Sequence, residues 1–536
     1  MPYAGMANEI GRLLHIITKN ANINSMNFLR HQAEIDQIVP GVSEVYKHLR
    51  SSNGQGLYTS LGRYYNSTIF GRDAGMTAKF VTHFDHEVAW QAILTLALHQ
   101  GQNFNSRTME APGKIHHEMR DYSQWHGRWY DRIGLEVAGL VWGKKNRKLV
   151  TYFAADSTAT YIRLVNKYCR LIDQSIIDRQ VPRQDGSTVS LAESVAQAAD
   201  WLCDQVDESG IFWVRRSNRL SLPYQTFADS VTAYAWADGS AANAAKKHSY
   251  IEAQVYSLDA LDDAVRLMPA HPRREHWRRT ARRMQTALFE NFWDQSGRTF
   301  SPAIFERKSR VQPLDGDMIT AAWSLNASFW DQMSIDMRSD KIGSIVERIF
   351  QPDFLTYYGI RTKPLGGNEP LGEMIDYHGS QTVWPMFNFM VIEGLRRHGL
   401  HRLARQLEFR LINTLNALKN FDEFFIVDKS GMLYKPDSAA DLSKPGQMIP
   451  EQNIAFTAVP ALTLAYRHLY RRSEPKSSGW QFELENRLLA NIANLELLSA
   501  EAAVSQIKPT PLKIKRTKAG LKSALHIAAV IMANND

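Results

Sequence analysis

The stretch Glu87-Val88-Ala89-Trp90-Gln91-Ala92-Ile93-Leu94-Thr95-Leu96-Ala97-Leu98-His99 decides the fold class. Its apolar residues return at helical spacing and neither Pro nor Gly interrupts them, so it reads as a helix that buries one broad face. The same spacing recurs at 159–172, 191–206, 257–267, 279–292, 382–398 and 403–418. Alternating patterns are few and short, with 211–216 and 424–427 as the strand candidates. Loops of roughly ten to thirty residues, rich in His, Trp, Tyr, Asp and Gly, separate the helices; compact domains keep loops of that length for function.

Long helices in sequential pairs, with chemistry in the loops, point to an all-α protein: an (α/α)6 toroid with an inner and an outer ring of helices. A right-handed solenoid is the alternative, but no fixed-period repeat supports it. The barrel is expected over 56–475, after a helical N-terminal extension (1–55) and before a linker and basic helical tail (476–536). Of the 536 residues, 44% are apolar and 22% charged, ordinary for a globular protein with a sizeable core. The net charge of +8 comes largely from 506–522, which carries six basic residues and no acid. A solvated basic tail accounts for it better than a nucleic-acid arm. Cys169 and Cys203 are too few for a disulfide framework and lie in helical pattern, so both are expected to be buried free thiols. With no signal-peptide pattern near the start and no long apolar run, a cytoplasmic protein without membrane contact is expected.

The segments with chemical potential sit between helices. From Tyr224-Gln225-Thr226-Phe227-Ala228-Asp229-Ser230 to Ile251-Glu252-Ala253-Gln254-Val255-Tyr256, acids, amides and large aromatics crowd together. Aromatic faces suit the C–H faces of a sugar ring, and carboxylates and amides suit its hydroxyls. Gly71-Arg72-Asp73, just before a helix, offers a planar donor fork and an acceptor pair, although Arg-Asp also serves as a surface ion pair or cap. In 110–120, Pro112-Gly113 forms a turn and the charged groups beyond it recur at helical spacing. Its His116-His117-Glu118 lacks the i, i+4 histidine pair of zinc hydrolases, so no metal is expected. Asp156 before Ser157-Thr158 is explained as a helix N-cap. His378 and Trp384 lie in a loop that reads equally as an aromatic plug or a sugar platform. Asp422-Glu423, among phenylalanines, is either desolvated or at the edge of a cleft.

In order and spacing these landmarks resemble the glycogen-debranching, amylo-α-1,6-glucosidase-like (α/α)6-barrel glycoside hydrolases. The match runs over about 400 residues, from Phe70-Gly71-Arg72-Asp73 through Tyr358-Gly359-Ile360-Arg361-Thr362 to Glu393-Gly394-Leu395-Arg396-Arg397-His398-Gly399. The resemblance implies inverting hydrolysis of an α-glucosidic bond: in an α-1,6-branched glucan, an α-glucan end or a small α-glucoside. It implies no cofactor. It assigns Asp229 as general acid and Glu423 as general base, with Glu451 in Pro450-Glu451-Gln452-Asn453 as runner-up. Arg72, Asp73, Asp156, Gln225, Phe227, Glu252, Gln254, His378 and Trp384 carry over as sugar-binding positions. Thr226, Phe227 and Ala228 depart from the Gly, Trp and basic residue of the related loop, so reaction class is better supported than substrate. A non-catalytic carbohydrate-binding toroid and a phosphorylase or other sugar enzyme on this barrel are the alternatives.

Overall fold

The computed structural model describes residues 31–503 apart from 63, 125–128, 145–146, 217, 308–309, 373–374, 435–449, 471–476 and 478. The basic stretch 506–522 and most of the expected linker lie outside the described residues.

Local signals start many of the helices. Asp85 precedes His86–Leu98 and accepts the Val88 N–H at 3.2 Å. Ser190 does the same for Glu193 at the head of Leu191–Asp204, in a Ser-x-x-Glu sequence. Six elements then pack side by side and close a ring. Gly71–Val81 packs against Ser157–Leu171, followed by Ile251–Leu267, the 3-10 segment Ile319–Asn326, Pro385–Arg397 and Ala455–Leu469, which returns to Gly71–Val81. Each of the first five is backed by the outer helix that follows it: His86–Leu98, Leu191–Asp204, Arg274–Ala287, Ile335–Ile349 and His401–Leu418. Val42–Leu49, from the expected N-terminal extension, packs on Ala455–Leu469 and fills the remaining outer position. Trp480–Ala503 lies over the outer helices Ile335–Ile349 and His401–Leu418. The middle of the ring is aromatic: Phe227 meets Trp323 edge-on at 4.7 Å and stacks on Phe456 at 6.0 Å. Cys169 and Cys203 are buried free thiols, as expected.

Because an outer helix carries the chain back each time, the inner N-termini collect at one end of the ring. Small antiparallel sheets cover that end. Thr68–Phe70, His248–Tyr250 and Thr382–Val383 each run directly, or within one residue, into an inner helix, and each pairs with strands from a neighbouring loop. The expected helical toroid is there, and beside its helices six small sheets, which the all-α expectation left out, are present among the described residues. Segment 110–120 is a second correction. Its Pro-Gly turn is real, with Gly113 at φ +81°, but the chain then runs extended into strand Glu118–Asp121 rather than into a helix. Phe425–Val427 is a strand, whereas 211–216 makes only isolated bridges at Phe212 and Val214. No helix among the described residues is long and apolar enough to cross a membrane.

Candidate active site

Arg72 lies at the centre. It opens the first turn of Gly71–Val81, so the Gly-Arg-Asp sequence belongs to the helix rather than preceding it. Gly71 must be glycine: its N–H reaches the His117 carbonyl at 2.8 Å, and a Cβ there would stand 2.0 Å from the His116 carbonyl oxygen. This close approach fixes the backbone from which Arg72 and Asp73 project. The guanidinium is 3.6 Å from each of three carboxylates, through Nε to Asp73, Nη1 to Asp156 and Nη2 to Asp229. Its other side lies 4.8 Å from the centre of the Phe227 ring.

One cation cannot balance three aspartates in so little water. Burial pushes Asp73 up to about 7 and Asp156 up to about 6, in both cases against the pull of Arg72. Asp229 is raised by desolvation too, again opposed by Arg72. Burial works against a charged guanidinium, but Asp156, Asp73 and Asp229 outweigh it and raise the Arg72 pKa. Of the three aspartates, Asp229 is the open one, with 29% of its side chain exposed, while Asp156 has none. Asp156 occupies the N-cap position of Ser157–Leu171, yet its side chain makes no capping hydrogen bond and neither oxygen has a partner at hydrogen-bond distance. The capping explanation fails, and the carboxylate is turned to Arg72 instead.

Two glutamates form a second group. The Glu423 N–H donates to the Glu451 carbonyl at 2.9 Å, and the Glu451 N–H donates to the Glu423 carboxylate at 3.3 Å. Glu451 also accepts the Ser60 hydroxyl at 2.6 Å and the N–H groups of Tyr64 and Tyr65 at 3.0 and 3.1 Å. Burial pushes Glu423 up to about 8, despite hydrogen bonds from Tyr377 and from the Glu451 main chain; Glu451 and Asp229 add like-charge repulsion. Glu451 is raised by burial as well, tempered by its three donors. The two groups meet across Tyr65 and Tyr377, since the Tyr65 phenol feels Glu423, Asp229 and Glu451, and the Tyr377 phenol feels Glu423 and Asp229. Tyr377 opens the loop that carries His378 and Trp384 but drew no role of its own from the sequence, and Tyr65 did not stand out, because loop tyrosines next to other aromatics look like packing.

The remaining expected contacts divide. Glu252 is buried behind the aspartates. It accepts hydroxyls from Thr226 at 2.7 Å and Tyr234 at 2.9 Å, leaves Oε2 without a partner, and is pushed up to about 7 by burial. Gln225 is buried, its amide against the Met109 sulfur at 3.4 Å and its carbonyl bonded to the Ala155 N–H. Phe227 is a core ring that carries Arg72, and its 4% exposure leaves little surface for a sugar. Gln254 does not belong to the site. Both amide hydrogens go to main-chain carbonyls, Gly210 at 2.7 Å and Met284 at 3.1 Å, and its oxygen accepts the Phe212 N–H. Trp384 is the plug rather than the platform: 3% exposed, it stacks on His378 at 4.8 Å and 11°, and on Phe387 and Phe424. His378 is fully buried, shares a 2.8 Å hydrogen bond with Ser230, and is held neutral by burial. Among the described residues no group of His, Cys, Asp and Glu has the arrangement to hold a metal ion.

No protein-family model matches the sequence, and no curated protein matches it. Among solved structures, the fold is similar to that of a GH63 mannosylglycerate hydrolase from Thermus thermophilus in complex with glucose. The TM-score is 0.52 at 15% identity, covering 80% of this chain and 99% of that one. The same hydrolase in complex with Tris and D-glycerate gives a TM-score of 0.50 at 15% identity, with the same coverage. At this identity the likeness is one of fold.

Proposed function

We propose that this chain is an inverting glycoside hydrolase acting on an α-glucosidic bond, with Asp229 as general acid and Glu423 as general base. The observation that carries the reading is the Arg72 centre. Three aspartates surround one guanidinium where the inner helices begin, and only Asp229 is open to an incoming ligand. Buried carboxylates without hydrogen-bond partners destabilise a fold, and sugar hydroxyls are the neutral donors that would satisfy them. Asp73, Asp156 and Glu252 are therefore read as acceptors behind the ring. Asp229 protonates the departing oxygen, while the opposing glutamate takes a proton from the attacking water. The raised pKa of Asp229 suits an acid that must hold its proton near neutrality. Inversion needs about 6.5–9.5 Å between the two carboxyl groups, room for one water.

One observation favours a second assignment of the base. Three donors converge on the Glu451 carboxylate and favour its charged form, whereas burial pushes Glu423 up to about 8. The likeness of fold to a mannosylglycerate hydrolase supports a small glycoside as substrate and leaves the sugar open between glucose and mannose.

The test is a panel of α-linked disaccharides, maltodextrins, isomaltose-type oligomers and mannosylglycerate. Wild type, Asp229→Asn, Glu423→Gln and Glu451→Gln are compared, with the product anomer followed by NMR. The expected result is inversion and a loss of several orders of magnitude in Asp229→Asn and Glu423→Gln. Near-normal turnover in Glu423→Gln moves the base to Glu451. Turnover that depends on added phosphate favours a phosphorylase, and binding without turnover favours a carbohydrate-binding toroid.

A further inference from the structure

The loop 376–384 supplies two consecutive side chains that touch the residues following Glu423 and Asp229. Tyr377 lies beside Glu423, and its hydroxyl favours the charged carboxylate. Its ring stands edge-on to Trp384 at 4.9 Å and to Phe424 at 5.2 Å, and the Trp384 indole N–H donates to its carbonyl at 3.1 Å. His378 packs edge-on against Tyr377, their ring centres 4.7 Å apart. Its Nδ1 meets Ser230, the residue after Asp229, at 2.8 Å, while its ring lies parallel to Trp384. The acid loop is pinned again at Thr232, whose hydroxyl donates to Asp376 at 2.7 Å and whose carbonyl accepts Lys363 at 3.1 Å. Strand Thr382–Val383 and the Trp384 stack anchor the whole loop to the inner helix Pro385–Arg397.

We propose that Tyr377 and His378 are positioning residues which together fix the gap between the acid and base walls, and that His378 therefore acts through Ser230 rather than by touching sugar. This rests on the proposed hydrolase reading. The argument is geometric. The two rings pack on each other and on the same buried indole; Tyr377 also packs edge-on against Phe424, the residue after Glu423, and His378 hydrogen-bonds Ser230, the residue after Asp229. A base within reach of one water, and an acid within reach of the leaving oxygen, need this kind of fixed span, because small misplacements of catalytic groups cost large factors in rate. The groups facing Glu423 are Tyr377, Tyr65, Glu451 and Asp229, and those facing His378 are Lys363 and Arg72.

The test uses Tyr377→Phe, His378→Phe, His378→Asn, Ser230→Ala and the His378→Phe/Ser230→Ala double variant, beside Asp229→Asn, on the best substrate from the panel. His378→Phe keeps a flat ring on Trp384 and loses the bond; His378→Asn can restore a polar atom near Nδ1. Tyr377→Phe is expected to move the limb on which activity rises with pH upward by about one unit, because the carboxylate loses a donor. His378→Phe and Ser230→Ala are expected each to lower kcat roughly tenfold with KM within about twofold. The double variant should do no worse than either alone, and His378→Asn should recover part of the loss. A pH limb unmoved in Tyr377→Phe, or wild-type kcat in Ser230→Ala while Asp229→Asn is inactive, overturns the proposal. A changed KM with unchanged kcat in His378→Phe also overturns it and returns His378 to sugar binding. Full activity in Asp229→Asn would instead overturn the hydrolase reading.

Discussion

Asp156→Asn separates a site held for ligand from a residue held for structure. Asp156 is fully buried, neither oxygen has a hydrogen-bond partner, and its nearest cation is Arg72 Nη1 at 3.6 Å. Its pKa is about 6 in the folded chain and about 3.9 when unfolded. Two units correspond to about 3 kcal/mol. The sign follows from which state binds the proton more tightly. The folded state does, so this group favours folding fully below about pH 4 and loses that contribution as pH rises through 6. Asparagine keeps the shape and removes the charge, at a cost of about 1–3 kcal/mol for an amide without partners. The variant should therefore be less stable than wild type near pH 4.5 and equal or more stable near pH 7.5. Thermal unfolding across this range, with both proteins in the same buffers, reads the difference directly. Binding should weaken about 10–100-fold, the loss of a charged acceptor for a hydroxyl. A melting difference that does not change with pH would refute the reasoning. So would an Asp156→Ala variant that loses about 1 kcal/mol while Asn loses nothing, since that is the behaviour of a helix cap.

Gly71→Ala should abolish folding of the barrel or lower its melting temperature sharply, because the new Cβ would lie 2.0 Å from a carbonyl oxygen; soluble yield and thermal unfolding check it. Trp384→Ala should cost about 3–5 kcal/mol of stability, as expected for emptying a stacked aromatic core, whereas a sugar platform would leave the melting temperature intact and raise KM alone. Glu485 is fully buried in the last described helix, and its carboxylate accepts the Arg402 N–H at 2.6 Å at the head of His401–Leu418. The residue at that helix's own N-cap position, Leu400, has no side-chain oxygen. Glu485→Ala should therefore lower stability by about 1–3 kcal/mol without changing KM.

Amphipathic spacing made four outer helices (His86–Leu98, Leu191–Asp204, Arg274–Ala287 and His401–Leu418) and three inner ones (Ser157–Leu171, Ile251–Leu267 and Pro385–Arg397) legible, because each buries one face against a neighbour and repeats that demand every turn. The fourth inner element was not legible. Ile319–Asn326 is buried nearly all round and folds as a 3-10 segment, so it has no face for periodicity to reveal. The strands escaped for a related reason. Thr68–Phe70 and His248–Tyr250 are three residues long and buried on both sides, which erases alternation. In the site, residue type picked out the carboxylates and the arginine but could not tell direction. Arg72, Asp73, Asp156 and Asp229 come together at distances only the ring closure sets. Gln254 and Trp384 carry equally suitable groups but spend them on the framework.

The inner helices give this arrangement its logic. Their N-terminal ends carry partial positive charge and free N–H groups, so acids placed in first turns or just before them gain from the helix field. Asp73 and Glu252 sit in such first turns, and Asp156 directly precedes one. That gain is about 0.3–1 kcal/mol per acid at most exposed sites, too small to offset burial worth two or more pKa units in each of these groups. The residual strain falls on the oxygens left without a hydrogen-bond partner: Oδ1 of Asp73, both of Asp156 and Oε2 of Glu252. A ligand with several hydroxyls relieves it, and a chain holding the site for packing alone would have replaced the acids with apolar residues at a gain in stability. The excess of buried carboxylates over cations around Arg72 is therefore the strongest physical argument that this end of the ring is built to bind.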